Sequence, residues 1–161
     1  LIDKKNIKLA KKIYSKYKIF SDKKIILPLD AVVSKKKDGS GKVFVRDIGK
    51  INKTDIILDI GPRTIRLFSG FIRDAETIVW NGPMGKFEAE HFRHGTLSIA
   101  RVIAARSTGM AFGVVGGGET VEALKMTKMM DYVDWVSTGG GAMLNFLGGE
   151  KMPGLKKIVK W

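Results

Sequence analysis

The stretch that most restricts this chain is Phe112 to Thr120, FGVVGGGET, in which an apolar run of strand composition stops at three consecutive glycines. Glu119 and Thr120 then open a segment of helical composition, VEALKMTKMM. A strand, a glycine turn and a helix start in that order place backbone N–H groups where an anion can approach closely, beside the positive end of a helix dipole. Such a loop suits a phosphate. Chain reversal alone could also explain a triple glycine, so its meaning depends on what the other turns carry.

Several other apolar runs end in comparable turns. Ile2, Leu9, Ile13, Tyr14 and Tyr17 recur at helical spacing and predict an amphipathic helix over residues 3–18, whose apolar side needs a sheet to cover. Lys24 to Leu29, KIILPL, reads as a buried strand ended by Pro28, and the polar KKKDGSG from Lys35 to Gly41 leads into the strand-like KVFV. IILD from Ile56 to Asp59 is the next run, followed by the Gly61-Pro62 turn and a helix in RTIRLFSGFIRDA. TIVW from Thr77 to Trp80 precedes Asn81-Gly82-Pro83, a helix is expected over Gly95 to Ser107, and Trp135 to Ser137 forms a last strand before Thr138-Gly139-Gly140-Gly141. Trp80 and Trp135 are expected in the core, the Met126, Met129 and Met130 cluster as core filling, and the tail KMPGLKKIVKW as a turn and short helix.

Short apolar strands alternating with helices indicate βαβ units. The expected fold is α/β, a doubly wound, Rossmann-like parallel sheet covered on both faces. In such sheets ligands bind outside the carboxyl ends of the strands. That edge collects Asp59 to Pro62, Asn81 to Pro83, Gly116 to Glu119 and Ser137 to Gly141, more glycine than chain reversal needs.

Composition bounds the partners. The 161 residues, 44% hydrophobic and 28% charged, suffice for one domain with a core, and the lack of cysteine removes disulfides and thiolate chemistry. No apolar run approaches the roughly 18 residues of a membrane helix, and LIDKKNIKLAKK is too charged for the apolar stretch expected of a secretory leader. The net charge of +13 is uneven, with 16 Lys and Arg against 5 acidic groups up to Lys53, and 13 against 11 beyond it. A polyanion-binding patch is one reading of that first third. A solvated lysine face is favoured, because the lysines are not interleaved with the arginines and stacking aromatics of single-strand binders. His91 and His94 lack an apparent third ligand and read as surface histidines.

Two common nucleotide motifs are absent. A dinucleotide fingerprint from Gly116 and Gly118 would want Gly or Ala at Val121, and a P-loop ending at Gly85-Lys86 would need Gly at Trp80 and Ser or Thr at Phe87. The combination IVWNGPMGKFE (Ile78 to Glu88), VVGGGET, VSTGGGA and MPG instead resembles the end of phosphoglycerate kinase, in that family's order and at about its spacing. ILPLDAVV and LDIGP also resemble its C-terminal domain. The resemblance covers nearly the whole chain, which begins with Leu1 rather than Met, and implies that residues 1–161 are the latter part of the C-terminal nucleotide-binding domain, without the N-terminal substrate domain.

The resemblance implies transfer of a phosphoryl group from 1,3-bisphosphoglycerate to Mg-ADP, giving 3-phosphoglycerate and Mg-ATP, by an enzyme whose two lobes close on a cleft. Positioning and charge stabilisation dominate such chemistry. By the same resemblance, Asn81 contacts nucleotide phosphates, Gly82 and Pro83 shape the wall against adenine and ribose, and Glu88 accepts hydrogen bonds from the ribose hydroxyls. Gly117 and Gly118 give backbone room, Glu119 sits at the Mg2+ ion, and Thr120 hydrogen-bonds a phosphate oxygen. Gly139, Gly140 and Gly141 open a helix whose amides face the transferred group. Two residues depart from the pattern: Glu119 stands where the family usually has Asp, and Lys86 replaces an apolar residue.

The resulting expectation is a glycolytic, cytoplasmic kinase acting on small molecules, with ADP and ATP as nucleotides, a monomeric parent, and neither membrane nor nucleic-acid partner. The lobe with its catalytic arginine, the hinge and a GGAKV-like turn are missing from this stretch. It is therefore expected to be inactive alone, with an incomplete sheet exposing an edge and an apolar face. The alternative is a noncatalytic anion- or nucleic-acid-binding module using the basic first third.

Overall fold

A computed structural model of the chain describes residues 5–18, 25–38, 40–155 and 157–158. Three strands, β1 (Asp30–Ser34), β2 (Val43–Asp47) and β3 (Ile56–Ile60), form one sheet in the order β2-β1-β3, antiparallel throughout. Three more, β4 (Thr77–Asn81), β5 (Phe112–Gly116) and β6 (Trp135–Ser137), form a second sheet in the order β4-β5-β6, parallel throughout. The helices are α1 (Ile7–Lys18), α2 (Pro62–Asp74), α3 (His94–Ser107), α4 (Gly118–Met126) and α5 (Gly140–Leu147). Parallel strands joined through helices give the α/β, incompletely Rossmann-like fold expected.

The antiparallel sheet departs from the expected single parallel one, and the connections explain why. A parallel pair needs a crossover of a dozen or more residues, usually helical. Between β1 and β2 lies only the polar turn region from Lys35 to Lys42, and between β2 and β3 only a short 3-10 turn at Ile48–Lys50 with its flanks. The strand expected at KIILPL is displaced: among its described residues, Ile25 to Leu29 are not in a strand, and β1 begins two residues past Pro28. The N–H groups of Leu29 and Asp30 donate to the Thr64 hydroxyl of α2, each at 3.0 Å, so this backbone is held by a helix rather than a strand neighbour. Lys24 lies outside the described residues.

A helix of the βαβ kind needs its first N–H groups satisfied. Gly61 offers α2 no side-chain cap, and Asp30 supplies it from β1, accepting from the N–H of Arg63 at 3.1 Å and of Thr64 at 2.8 Å. Helix α3 is the hub: Thr96, Ile99, Ala100, Ile103, Ala104 and Ser107 recur at helical spacing and are all buried. It packs between α2 and α4 and reaches β3 and β5. Ile78, Trp80 and Val115 meet it from the parallel sheet, and Phe87, Val121 and Leu124 close the core. Met129 and Met130 pack against this core, whereas Met126 is exposed.

The other face of the parallel sheet is apolar and open. The register puts Thr77 opposite Phe112, and aligns Val79, Val114 and Trp135 on that same face. Val79, Phe112 and Trp135 are exposed, so Trp135 is not the core residue expected, although Trp80 is. Strand β4 pairs on one side only among the described residues. The apolar residues of α1 are likewise uncovered: Ile7, Leu9 and Ile13 are exposed, and Ala10, Ile13 and Tyr14 line an open groove with Ile25 and Leu27. Ile2 and the Tyr17 side chain lie outside the described residues, as do residues 156 and 159–161 of the tail, whose described part holds a 3-10 turn at Pro153–Leu155.

Candidate functional site

All three parallel strands end at one edge, and two helices begin there. β5 runs through Gly116 and Gly117 into α4, and β6 runs through Thr138 and Gly139 into α5. Gly117 has φ of +92°, a conformation that side chains resist, and neither Gly117 nor Gly139 caps its helix with a side chain. The two loops touch backbone to backbone: a Cβ on Gly140 would stand 2.6 Å from the Gly117 Cα and 2.7 Å from its nitrogen. The Gly117 N–H donates to the Ser137 carbonyl at 3.3 Å. Two helix N-termini therefore lie against each other with almost no side chain between them, which concentrates partial positive charge at that edge.

The third turn, after β4, closes the set. Asn81 donates from its side-chain amide to the Gly140 carbonyl at 3.4 Å, and the Gly82 N–H donates to the Thr120 hydroxyl at 2.7 Å. Thr120 is buried, and its hydroxyl proton goes to no acceptor among the described residues. Gly82, at φ +97°, turns the chain, and its carbonyl accepts from the Trp80 indole at 2.9 Å. The structure thus brings together Asn81, Gly82, Gly117, Thr120 and Gly140 by direct contact, with Pro83, Gly118, Gly139 and Gly141 adjoining them in the chain. Glu119 stands exposed in the first turn of α4, and a cleft of about 500 Å³ lined by Gly118, Val121, Glu122, Lys125 and Thr138 opens beside it. Glu88 is exposed beyond Phe87, with no contact to the glycine turns shown.

Beneath the wall from Met84 to Glu88 sits a residue that the sequence pattern did not single out. Asp59, at the end of β3, is almost fully buried and accepts the N–H of Gly95 at 2.7 Å and of Ile60 at 2.9 Å. Burial pushes its carboxyl up from 3.8 to about 6, partly offset by those N–H groups and by His94. Gly85 must be glycine here, because a Cβ would lie 2.5 Å from the Asp59 Oδ1 and from the Leu58 carbonyl. Thr96, also buried, accepts the N–H groups of Met84 and Gly85 at 3.0 and 3.2 Å. The Thr96 hydroxyl therefore fastens the wall to α3, the Lys86 N–H fastens it to the Leu58 carbonyl of β3, and the Asp59 carboxylate holds the start of α3 against β3.

The family model for phosphoglycerate kinase matches residues 1–150. This chain belongs to the phosphoglycerate kinase family. It is 37% identical over 158 residues to the phosphoglycerate kinase of Clostridium kluyveri, covering 98% of this chain and 39% of that protein. It is 40% identical over 158 residues to that of Lactiplantibacillus plantarum, covering 98% and 38%. Among solved structures, the phosphoglycerate kinase from Coxiella burnetii superposes with a TM-score of 0.87 at 34% identity, over 96% of this chain and 39% of that one. The Pyrococcus horikoshii OT3 enzyme gives 0.76 at 33%, over 94% and 36%. The chain thus spans about two fifths of the length of the relatives it matches.

Membership gives the glycine-rich edge a family context. Asp59 lies within LDIGP, a stretch already similar to the family, yet only its burial beside Gly85 and Gly95 reveals its task. Asp30 is the second buried carboxylate. Burial alone would raise it, but the Thr64 hydroxyl and the N–H groups of Arg63 and Thr64 hold it below the usual carboxylate range. No helix of the described residues is long and apolar enough to cross a membrane.

Proposed function

We propose that this chain supplies the nucleotide side of a phosphoryl transfer between 1,3-bisphosphoglycerate and Mg-ADP, yielding 3-phosphoglycerate and Mg-ATP, in the cytoplasm. The observation that carries the reading is the convergence of the α4 and α5 N-termini on one sheet edge, locked by the Gly117–Gly140 contact. Uncapped helix N-termini bind phosphate oxygens through N–H groups, and preorganised dipoles stabilise charge as it shifts during transfer. Gly139, Gly140 and Gly141 face the transferred group in this reading. Gly117 and Gly118 admit the backbone to the nucleotide phosphates, and Thr120 holds Gly82 while offering its proton to a phosphate oxygen.

Asn81 bridges the two helix starts and presents its amide to the phosphates. Gly82 and Pro83 line the base and ribose, and Glu88 receives the ribose hydroxyls. Magnesium bound to nucleotide keeps several waters and takes one or two carboxylates. Glu119, a single exposed carboxylate in the first turn of α4 with no ion pair among the described residues, fits that donor set. The ion, when bound, neutralises phosphate charge; positioning the nucleotide and excluding water fall to the chain.

The glycerate-binding lobe and its arginine are supplied from outside these residues, so the chain alone is inactive and binds Mg-ADP weakly. Isothermal titration with Mg-ADP, ADP without metal, and AMP tests the reading. Saturable, magnesium-dependent binding that favours ADP over AMP supports it. Binding that is indifferent to magnesium and to phosphate number, and that collapses with salt as polyelectrolyte contacts do, overturns it in favour of a basic anion-binding module.

A further inference from the structure

The wall from Gly82 to Phe87 is tied down by its own N–H groups. Gly82 donates to the Thr120 hydroxyl at 2.7 Å, which joins the wall to the first turn of α4. Met84 and Gly85 both donate to the Thr96 hydroxyl of α3, at 3.0 and 3.2 Å. Lys86 donates to the Leu58 carbonyl at 2.7 Å and Phe87 to the Gly85 carbonyl at 2.9 Å, while Pro83 has no N–H to give. Every backbone donor of the segment is therefore spent inside the chain. Its one cation is engaged as well, since the Lys86 ammonium donates to the Lys37 carbonyl at 2.8 Å.

Acceptors are left over instead. The carbonyls of Pro83 and Met84, both half-buried residues, accept no hydrogen bond among the described residues, and the Glu88 carboxylate that follows is exposed. The adjoining edge is the reverse, because the helix starts at Gly118 and Gly140 carry N–H groups with no side-chain cap. An ionised phosphate offers only acceptors, whereas ribose hydroxyls and an exocyclic base amine offer donors. The two surfaces thus suit different halves of a nucleotide.

Thr96 keeps that division. Two successive N–H groups aimed at one point form the kind of concavity that binds an anion. Here the point is filled by the Thr96 oxygen, whose two lone pairs accept one N–H each. Thr96 is completely buried, and the N–H of its neighbour Gly95 donates to Asp59 Oδ2 at 2.7 Å, so the hydroxyl is held in place from β3.

We propose that Thr96 is a positioning residue that keeps the backbone donors of the wall inside the protein, so that the wall meets a ligand with acceptors and recognises the donor-bearing nucleoside part of a nucleotide. The proposal rests on the nucleotide reading above, and two measurements separate their failures. The first needs no ligand. Hydrogen exchange followed by NMR should show the Met84 and Gly85 amides of the unaltered chain, and of Thr96→Ser, at least about tenfold slower than free amides. Free-amide rates overturn the seat on Thr96.

The second compares Mg-ADP with Mg-pyrophosphate, which has the phosphates without the nucleoside, at a temperature where melts show each variant folded. Thr96→Val strips two N–H groups of their acceptor, and should weaken Mg-ADP about fivefold while changing Mg-pyrophosphate less than about twofold. Thr96→Ser, which keeps the hydroxyl, should restore Mg-ADP binding. Unchanged Mg-ADP affinity, an equal loss for Mg-pyrophosphate, or no rescue by serine overturns the proposal. If the unaltered chain binds no Mg-ADP, the nucleotide reading and the recognition by the wall fall together, while the exchange rates still decide whether Thr96 seats it.

Discussion

The two sheets are held by different chemistry. Side chains tie the antiparallel one together: Asp30 caps α2 and is bound by Thr64, Arg46 meets Asp55 at 2.8 Å, and Arg63 meets Asp47 at 2.6 Å. Backbone and glycine tie together the carboxyl edge of the parallel one, with the Asn81 and Thr120 side chains bridging its turns. The acids divide the same way. Asp30 and Asp59 are buried and accept N–H groups of their own chain, whereas Glu88 and Glu119 stand in solvent. A carboxylate already satisfied by its own chain is structural; one left open beside a row of helix N-termini is free for a ligand.

That contrast is broken most severely at Gly140. Gly140→Ala forces a methyl into the Gly117 backbone and toward the Asn81 amide, so stability should fall by about 2–3 kcal/mol, and Mg-ADP binding at least about tenfold because both helix starts are displaced. A thermal melt with a parallel titration checks both. If the variant melts and binds as the parent does, the backbone contact is not what spaces the helices.

On the structural side, Thr64→Val keeps the shape but strips a buried carboxylate and two N–H groups of a partner. The expected cost is about 2–3 kcal/mol. Urea denaturation measures it, and the AMP-to-ADP discrimination of the remaining folded protein should stay as it was. A change in that discrimination would mean that the two regions are not separable in this way.

Asp59 lies between the two regions and sharpens the comparison through pH. Its folded carboxyl sits near 6 against the usual 3.8, so over that interval the folded state binds the proton more tightly than the unfolded one. Stability therefore falls as pH rises from about 4 to 6 and is level above, by about 3 kcal/mol in this contribution. Asp59→Asn should flatten that slope in melts taken across the interval. Smallest for the fold is Glu119→Gln, expected to shift stability by less than about 0.5 kcal/mol while weakening the magnesium dependence of ADP binding. A large loss of stability there would place Glu119 with the structural acids.

The sequence displayed the parallel sheet well because TIVW, FGVV and WVS are short apolar runs that each end in a glycine-bearing turn. Strand direction was not legible in IILD or KVFV, since an apolar run looks alike in either orientation and only the lack of a crossover helix decides. KIILPL misled because it is the most apolar run of its neighbourhood, while the strand beside it starts with a carboxylate. Asp30 is tolerated there through Thr64, a partner 34 residues away that no local pattern contains. Trp135 misled for a related reason: its composition speaks of burial, and the face it occupies is open.

Within the site, the glycines and Asn81 were visible as motifs, but what binds them to one another was not. Thr120 illustrates the difference. It was expected to meet a phosphate, and its hydroxyl is found already accepting the Gly82 N–H, a contact that depends on how two turns from different strands meet. Asp59 and Thr96 left no local signal either, because a buried polar residue is recognisable only through the donors that surround it.

The contact between Gly117 and Gly140 has a further consequence for how such a site can change over generations. Most close contacts can drift, because one residue shrinks as its neighbour grows. Here neither member has anything left to give up, so no compensating pair of substitutions exists. The distance between the two helix starts is fixed by the bare peptide chain, and sequence variation is diverted to the exposed positions around it, such as Glu119 and Lys86.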